Sequence, residues 1–143
     1  MNEQELLNQY LTENNLRQTP ERYIILKYIY KISTHFDIDF LYNHINKKEK
    51  ISKATIYNNL EILCKARLIK KINFNDNKIL YEKCLNKKQH DHLVCNNCGK
   101  IIEFCDPRIK NILDGIEKIA KFQIHSHTLN VYGKCNNHKN CIS

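Results

Sequence analysis

At 143 residues the chain has room for one ordinary domain or two small ones, and small domains bury proportionally little surface. Seven cysteines without a signal-like apolar stretch after Met1 point to reduced thiols, a cytoplasmic location and metal binding rather than a disulfide framework. No apolar run approaches the roughly 20 residues that cross a bilayer, which argues against a membrane-embedded role. The net charge of +8 is unevenly placed. Residues 1–46 carry four basic and six acidic side chains, residues 47–83 ten basic and four acidic. A concentrated basic segment attracts phosphate, although a solvated lysine face fits the charge equally well.

Leu6, Leu7, Tyr10 and Leu11 predict a first helix over 3–14, ending before Arg17-Gln18-Thr19-Pro20. Thr19 is the expected cap of a second helix, with Pro20 at its first position and Ile25, Leu26, Ile29 and Ile32 as its buried stripe. Asp37 caps a third, carrying Phe40, Leu41 and Ile45. Ser52 caps a fourth, whose Ile56, Leu60, Leu63 and Cys64 share one face and leave Ala54, Tyr57 and Asn58 on the other. Two strands, Leu68 to Phe74 and Ile79 to Glu82, follow around the turn sequence Asn75-Asp76-Asn77. Helices followed by a basic hairpin give a winged helix-turn-helix, with the fourth helix in the major groove of DNA.

From Lys87 onward the composition changes, with five of the seven histidines and five of the seven cysteines. The pattern predicts a strand through Leu93, Ile101 and Phe104, a helix from about Pro107 to Lys121, and a strand through His125 to Tyr132. The fold class is therefore α+β: a winged-helix domain over 1–84 and a small α/β domain over 85–143. Cys95-Asn96-Asn97-Cys98-Gly99 is a C-x-x-C knuckle, and Cys135 with Cys141 offers a second thiolate pair. Four sulfurs close a tetrahedral Zn²⁺ site with no place left for substrate, which makes it structural; His138 is a rival fourth ligand. His90 and His92 lie on one side of an extended segment and invite a second metal, with Glu103 following in the same domain. His35 and Glu82 read by themselves as structural residues. A mixed nitrogen and oxygen set suits Fe²⁺, Mn²⁺, Co²⁺ or Zn²⁺ without choosing among them.

Thr19-Pro20-Glu21-Arg22, Lys53-Ala54-Thr55-Ile56-Tyr57, Tyr81-Glu82, the run from His90-Asp91-His92 through Cys98-Gly99-Lys100, and His127 through Tyr132-Gly133-x-Cys135 stand in collinear order over nearly the whole chain. In these motifs the chain resembles the ferric uptake regulator family. The resemblance implies a homodimeric, metal-dependent repressor of double-stranded palindromic operator DNA, not an enzyme and without a small-molecule substrate. It assigns the regulatory metal, bridging the two domains, to His35, Glu82, His90, His92 and Glu103, and the structural zinc to Cys95, Cys98, Cys135 and Cys141. Fe²⁺ control of iron-uptake genes is the expectation, because peroxide-sensing relatives usually carry Asp where this chain has Glu82 and Glu103. Mn²⁺ or Zn²⁺ are the alternative ions, and a peroxide- or zinc-sensing member of the same family is the alternative reading.

DNA contacts are expected from Arg17, Lys53, Ala54, Thr55, Tyr57 and Asn58. Asn58 replaces the arginine that often follows the recognition-helix tyrosine. A weak third metal site falls on Asp91 and His127, with Gln89 and Lys110 in its other two places; Lys110 repels a cation. Cys84 and Cys105 lie near regulatory ligands. A zinc hydrolase or deaminase using His90, His92 and Glu103 is the reading from another class, but its His-x-Glu and His-Glu-x-x-His signatures are absent.

Overall fold

The computed structural model describes residues 1–74, 78–85 and 89–136. The Asn75-Asp76-Asn77 turn, His138 and Cys141 lie outside the described residues. The chain divides into two compact units, residues 1–87 and 88–143.

In the first unit, α1 spans Glu3–Glu13, α2 Pro20–Lys31, α3 Ile38–Ile45 and α4 Lys53–Lys65, before an antiparallel pair of strands, β1 Ile69–Asn73 and β2 Ile79–Lys83. Local chemistry sets the boundaries. Asn2 and Glu5 form a capping box at α1, and Asn15, at φ 54°, turns the chain left-handed beyond its C-terminus, a conformation Asn tolerates. Asp37 accepts from the Phe40 N–H at 2.7 Å, and Ser52 from the Thr55 N–H at 3.2 Å, so both expected caps form. Thr19 does sit at the N-cap of α2, yet its side chain makes no capping bond. Its carbonyl accepts the Arg22 N–H instead, at 3.2 Å.

The expected apolar stripes converge. Leu7 and Leu11 of α1, Ile25, Leu26 and Ile29 of α2, Leu41 and Ile45 of α3, and Ile56, Leu60 and Leu63 of α4 form one buried cluster with Leu68, Ile69 and Tyr81. Cys64 is only half-buried at its edge. Phe36 adds a short bridge to Tyr81, with backbone bonds of 3.0 and 2.8 Å in the two directions and stacked rings 5.8 Å apart. The loop between α2 and α3 is thereby tied to the wing.

The second unit holds β3 Asp91–Cys95, β4 Ile101–Phe104, α5 Pro107–Ala120 and β5 Asn130–Gly133. Its sheet has the order β4-β3-β5, with β3 antiparallel to β4 and parallel to β5. The single strand expected through Leu93, Ile101 and Phe104 is two strands, because the knuckle reverses the chain. Gly99 takes φ +74°, and its N–H donates to the Cys95 carbonyl at 2.9 Å. The last strand is shorter than expected. Its parallel register sets Asn130 against His92, so residues before Leu129 run past the start of β3 and have no β3 residue opposite them.

Among the described residues, every buried apolar side chain except Cys95 belongs to the first unit. The α5 helix buries no residue, and Ile112, Ile116 and Ile119 stand exposed on it, as do Leu93, Ile102 and Val131 on the sheet. No helix among the described residues is long and apolar enough to cross a membrane. Leu60, 1% exposed at the centre of the first unit's core, sets a test of this packing. Leu60→Ala should lower the unfolding free energy by about 2–5 kcal/mol, read as an earlier urea midpoint at unchanged slope. A midpoint equal to wild type would place Leu60 outside the core.

Candidate metal centres and nucleic-acid interface

The sulfur cluster is built by the sheet. Parallel pairing sets Cys95, the last residue of β3, against Gly133, the last of β5, and the Asn96 N–H donates to the Gly133 carbonyl at 2.7 Å. Cys135 follows two residues later, while the knuckle turn returns Cys98 to the same place. The Sγ atoms of Cys95, Cys98 and Cys135 lie within 4.8 Å of one another. A tetrahedral zinc with bonds of about 2.3 Å separates its sulfurs by about 3.8 Å, a spacing inside that limit. The Cys98 backbone N–H, helped by those of Cys135 and Asn97, lowers the Cys95 thiol to about 6 against the opposing effect of burial. That is the electrostatics of a thiolate ligand. Cys64 is the opposite case: burial, with Cys84 nearby, pushes it up to about 11.

The nitrogen and oxygen donors form in each unit separately. In the first, the Phe36–Tyr81 bridge carries His35 to the residue after Tyr81, and His35 Nε2 lies 3.0 Å from Glu82 Oε2. Glu82 is buried, an uncommon place for a carboxylate without a specific partner. In the second unit, antiparallel pairing sets His92 against Glu103. His90 and His92 are two residues apart, with ring centres 4.9 Å apart, and His90 Nε2 lies 3.6 Å from Glu103 Oε1. His92 is fully buried. Borderline nitrogens and hard oxygens, with no sulfur among them, make a donor set distinct from the cysteine cluster.

Asp91 and His127 also meet, at 3.0 Å between Oδ1 and Nε2, and the Gln89 side chain reaches the His127 carbonyl at 3.4 Å. They border a cleft of about 500 Å³ that Lys110 and Glu117 of α5 also line. Lys110 pairs with Asp114 at 2.9 Å, which raises the affinity of its amine for its proton. Asp91 and His127 thus supply two neighbouring donors, and Lys110 adds a cation beside them rather than a third donor.

On α4, Lys53, Ala54, Tyr57 and Asn58 are exposed, and Arg17 is exposed ahead of α2. Thr55 is half-buried, its hydroxyl 2.8 Å from the Ser52 cap. Two features escaped the sequence reading. Arg22 donates through Nε to the Arg17 carbonyl at 2.8 Å and through Nη1 to the buried Asn59 at 3.1 Å, so it ties the Arg17 segment to α4. Asp39 of α3 pairs with Lys53. Arg22 stands inside a motif the sequence displays, but its partners are 5 and 37 residues away and follow no spacing rule.

Residues 13–132 match the model of the Ferric uptake regulator family. The ferric uptake regulation protein of Campylobacter jejuni is 36% identical over 141 residues, a span covering 94% of this chain and 89% of that protein. The peroxide-responsive repressor PerR of Staphylococcus aureus is 31% identical over 126 residues, covering 87% of this chain and 84% of that one. Among solved structures, the Helicobacter pylori ferric uptake regulator Fur, described as having three functional metal-binding sites, matches with a TM-score of 0.77 at 28% identity. That match covers 92% of this chain and 88% of the other. A match running from the last residue of α1 into β5 makes this chain a member of the ferric uptake regulator family, the metal-sensing transcriptional repressors.

Proposed function

We propose that the protein is a cytoplasmic homodimer that binds a palindromic operator when loaded with Fe²⁺ and so represses iron-uptake genes. The observation that carries this reading is the separation of donors into a sulfur cluster and a nitrogen and oxygen set. One holds a permanent zinc; the other senses. In this reading Cys95, Cys98, Cys135 and Cys141 hold the zinc, and its binding energy becomes folding energy for a unit with little core. The exposed apolar residues of α5 and the sheet support pairing with a second copy through residues 85–143. Residues 1–84 form the DNA-binding domain, with α4 in the major groove, Tyr57 and Asn58 toward base edges, and Arg17 and Lys53 toward phosphate.

His35, Glu82, His90, His92 and Glu103 are the proposed regulatory ligands. Three imidazoles and two carboxylates accept Fe²⁺ or Mn²⁺, whereas affinity order alone favours Zn²⁺, so availability selects the ion. Ligands drawn from both units shift the population toward one orientation of the winged helices, provided the ion's affinity differs between orientations. Asp91 and His127 act in this reading as a hydrogen-bonded pair first and a weak metal site second. Cys84 favours a second reading: it lies two residues beyond Glu82, and a thiolate joining the ligands would turn the protein into a zinc sensor.

Cys98→Ser should lose one tightly held zinc per subunit together with the dimer, as read by native mass spectrometry. A stable zinc-free dimer would sink the cage.

The metal assignment is tested by anaerobic operator binding of wild type, His90→Ala and Cys84→Ser with Fe²⁺, Mn²⁺ or Zn²⁺. Fe²⁺ should activate wild type and Cys84→Ser but not His90→Ala. Activation by Zn²⁺ alone, abolished in Cys84→Ser, would make the protein a zinc sensor.

A further inference from the structure

Lys53 opens α4 and is half exposed, yet it is not presented as an open cation. Its Nζ donates to Oδ1 of Asp39, in the first turn of α3, and lies 5.9 Å from the centre of the Tyr42 ring. The Asp39 side chain is 69% exposed, so the acid stands on the surface rather than in a core ion pair. The first turn of α4 contains no acid of its own. Its N-terminal N–H groups, the helix dipole and the Lys53 ammonium therefore make one electropositive corner, the kind of place a DNA phosphate occupies. In the free protein the carboxylate of Asp39 is the anion there.

We propose that Asp39 is an affinity-limiting residue at the DNA surface, a stand-in for phosphate on Lys53 that lowers affinity for every duplex. The inference rests on the reading of α4 as the groove-facing helix. A phosphate approaching Lys53 must share or displace the carboxylate, and it meets a like charge as it does so. Exposed pairs contribute little to folding, so the exchange is easy. Its effect is a constant opposition, which lowers operator and non-specific affinity by the same factor. Non-specific duplex is held by backbone attraction alone and is released first as affinity falls, whereas an operator adds base contacts and stays bound.

The test uses full-length, metal-loaded protein and a labelled random-sequence duplex, read by fluorescence anisotropy at about 50 and 300 mM salt. Asp39→Asn keeps the size and the acceptor oxygen and leaves the Asp37 cap in place. It should bind about three- to tenfold tighter at the lower salt, with the advantage shrinking at the higher one as screening removes the repulsion. Lys53→Ala should bind more weakly than wild type, and adding Asp39→Asn to it should restore part of the loss. Unchanged zinc content and dimer mass identify a variant that is folded. If Lys53→Ala weakens binding while Asp39→Asn equals wild type or binds more weakly, Asp39 positions Lys53 rather than opposing phosphate, and the inference is overturned. If Lys53→Ala leaves binding unchanged, the groove-facing assignment of α4 falls and takes the inference with it.

Discussion

The constraint from which the rest follows is the shortage of buried apolar surface in the C-terminal unit. Among its described residues Cys95 is the one buried apolar side chain, while isoleucines, leucine and valine stand exposed along α5 and the sheet. A three-stranded sheet with one helix, closed by short strands of four and five residues, has little with which to offset the entropy of ordering its chain. Cross-linking of β3 and β5 through thiolates around one ion, and coverage of the exposed face by a second copy, are the two remedies this composition permits. Together they would make folding, metal content and assembly parts of one equilibrium.

The N-terminal unit answers to a different balance. Its four helices converge on a continuous core, so α4 is held rigidly and its outer face is free to serve another purpose. The wing is joined to this core by the Phe36–Tyr81 bridge, and the same bridge delivers His35 to Glu82. A buried carboxylate beside an imidazole is costly to leave unmatched in charge, whether by proton or by cation. The bridge therefore couples the part of the fold that positions the hairpin to a part that answers to charge. Two backbone hydrogen bonds and a stacked aromatic pair suffice for the connection.

Electrostatics divides the surface in a similar way. The basic excess of residues 47–83 is a long-range attraction for nucleic acid of any sequence, and attraction without discrimination is of little use to a regulator. Asp39 against Lys53 and the Arg22 link from the Arg17 carbonyl to Asn59 both act on that balance, one by charge and one by geometry. Neither adds to the net attraction.

Much of this was determined by the sequence alone, because the responsible signals are local or periodic. Helix stripes at three- and four-residue spacing, the Asp37 and Ser52 caps, the knuckle from Cys95 to Gly99 and the His90-Asp91-His92 triplet are each legible within a few residues, since the chemistry acts over that range. The motifs in their order identify the family. What the tertiary structure alone decided involves partners far apart in the chain. It split one expected strand at Gly99, because a left-handed turn reversed the direction. It shortened the last strand, because β3 begins only at Asp91. It set Cys135 beside the knuckle through a parallel register, His35 beside Glu82 through a single bridge, and Asp39 against Lys53 through helix packing. Each is a juxtaposition fixed by which hydrogen bonds and packed faces close together, and no pattern within a few residues carries that information.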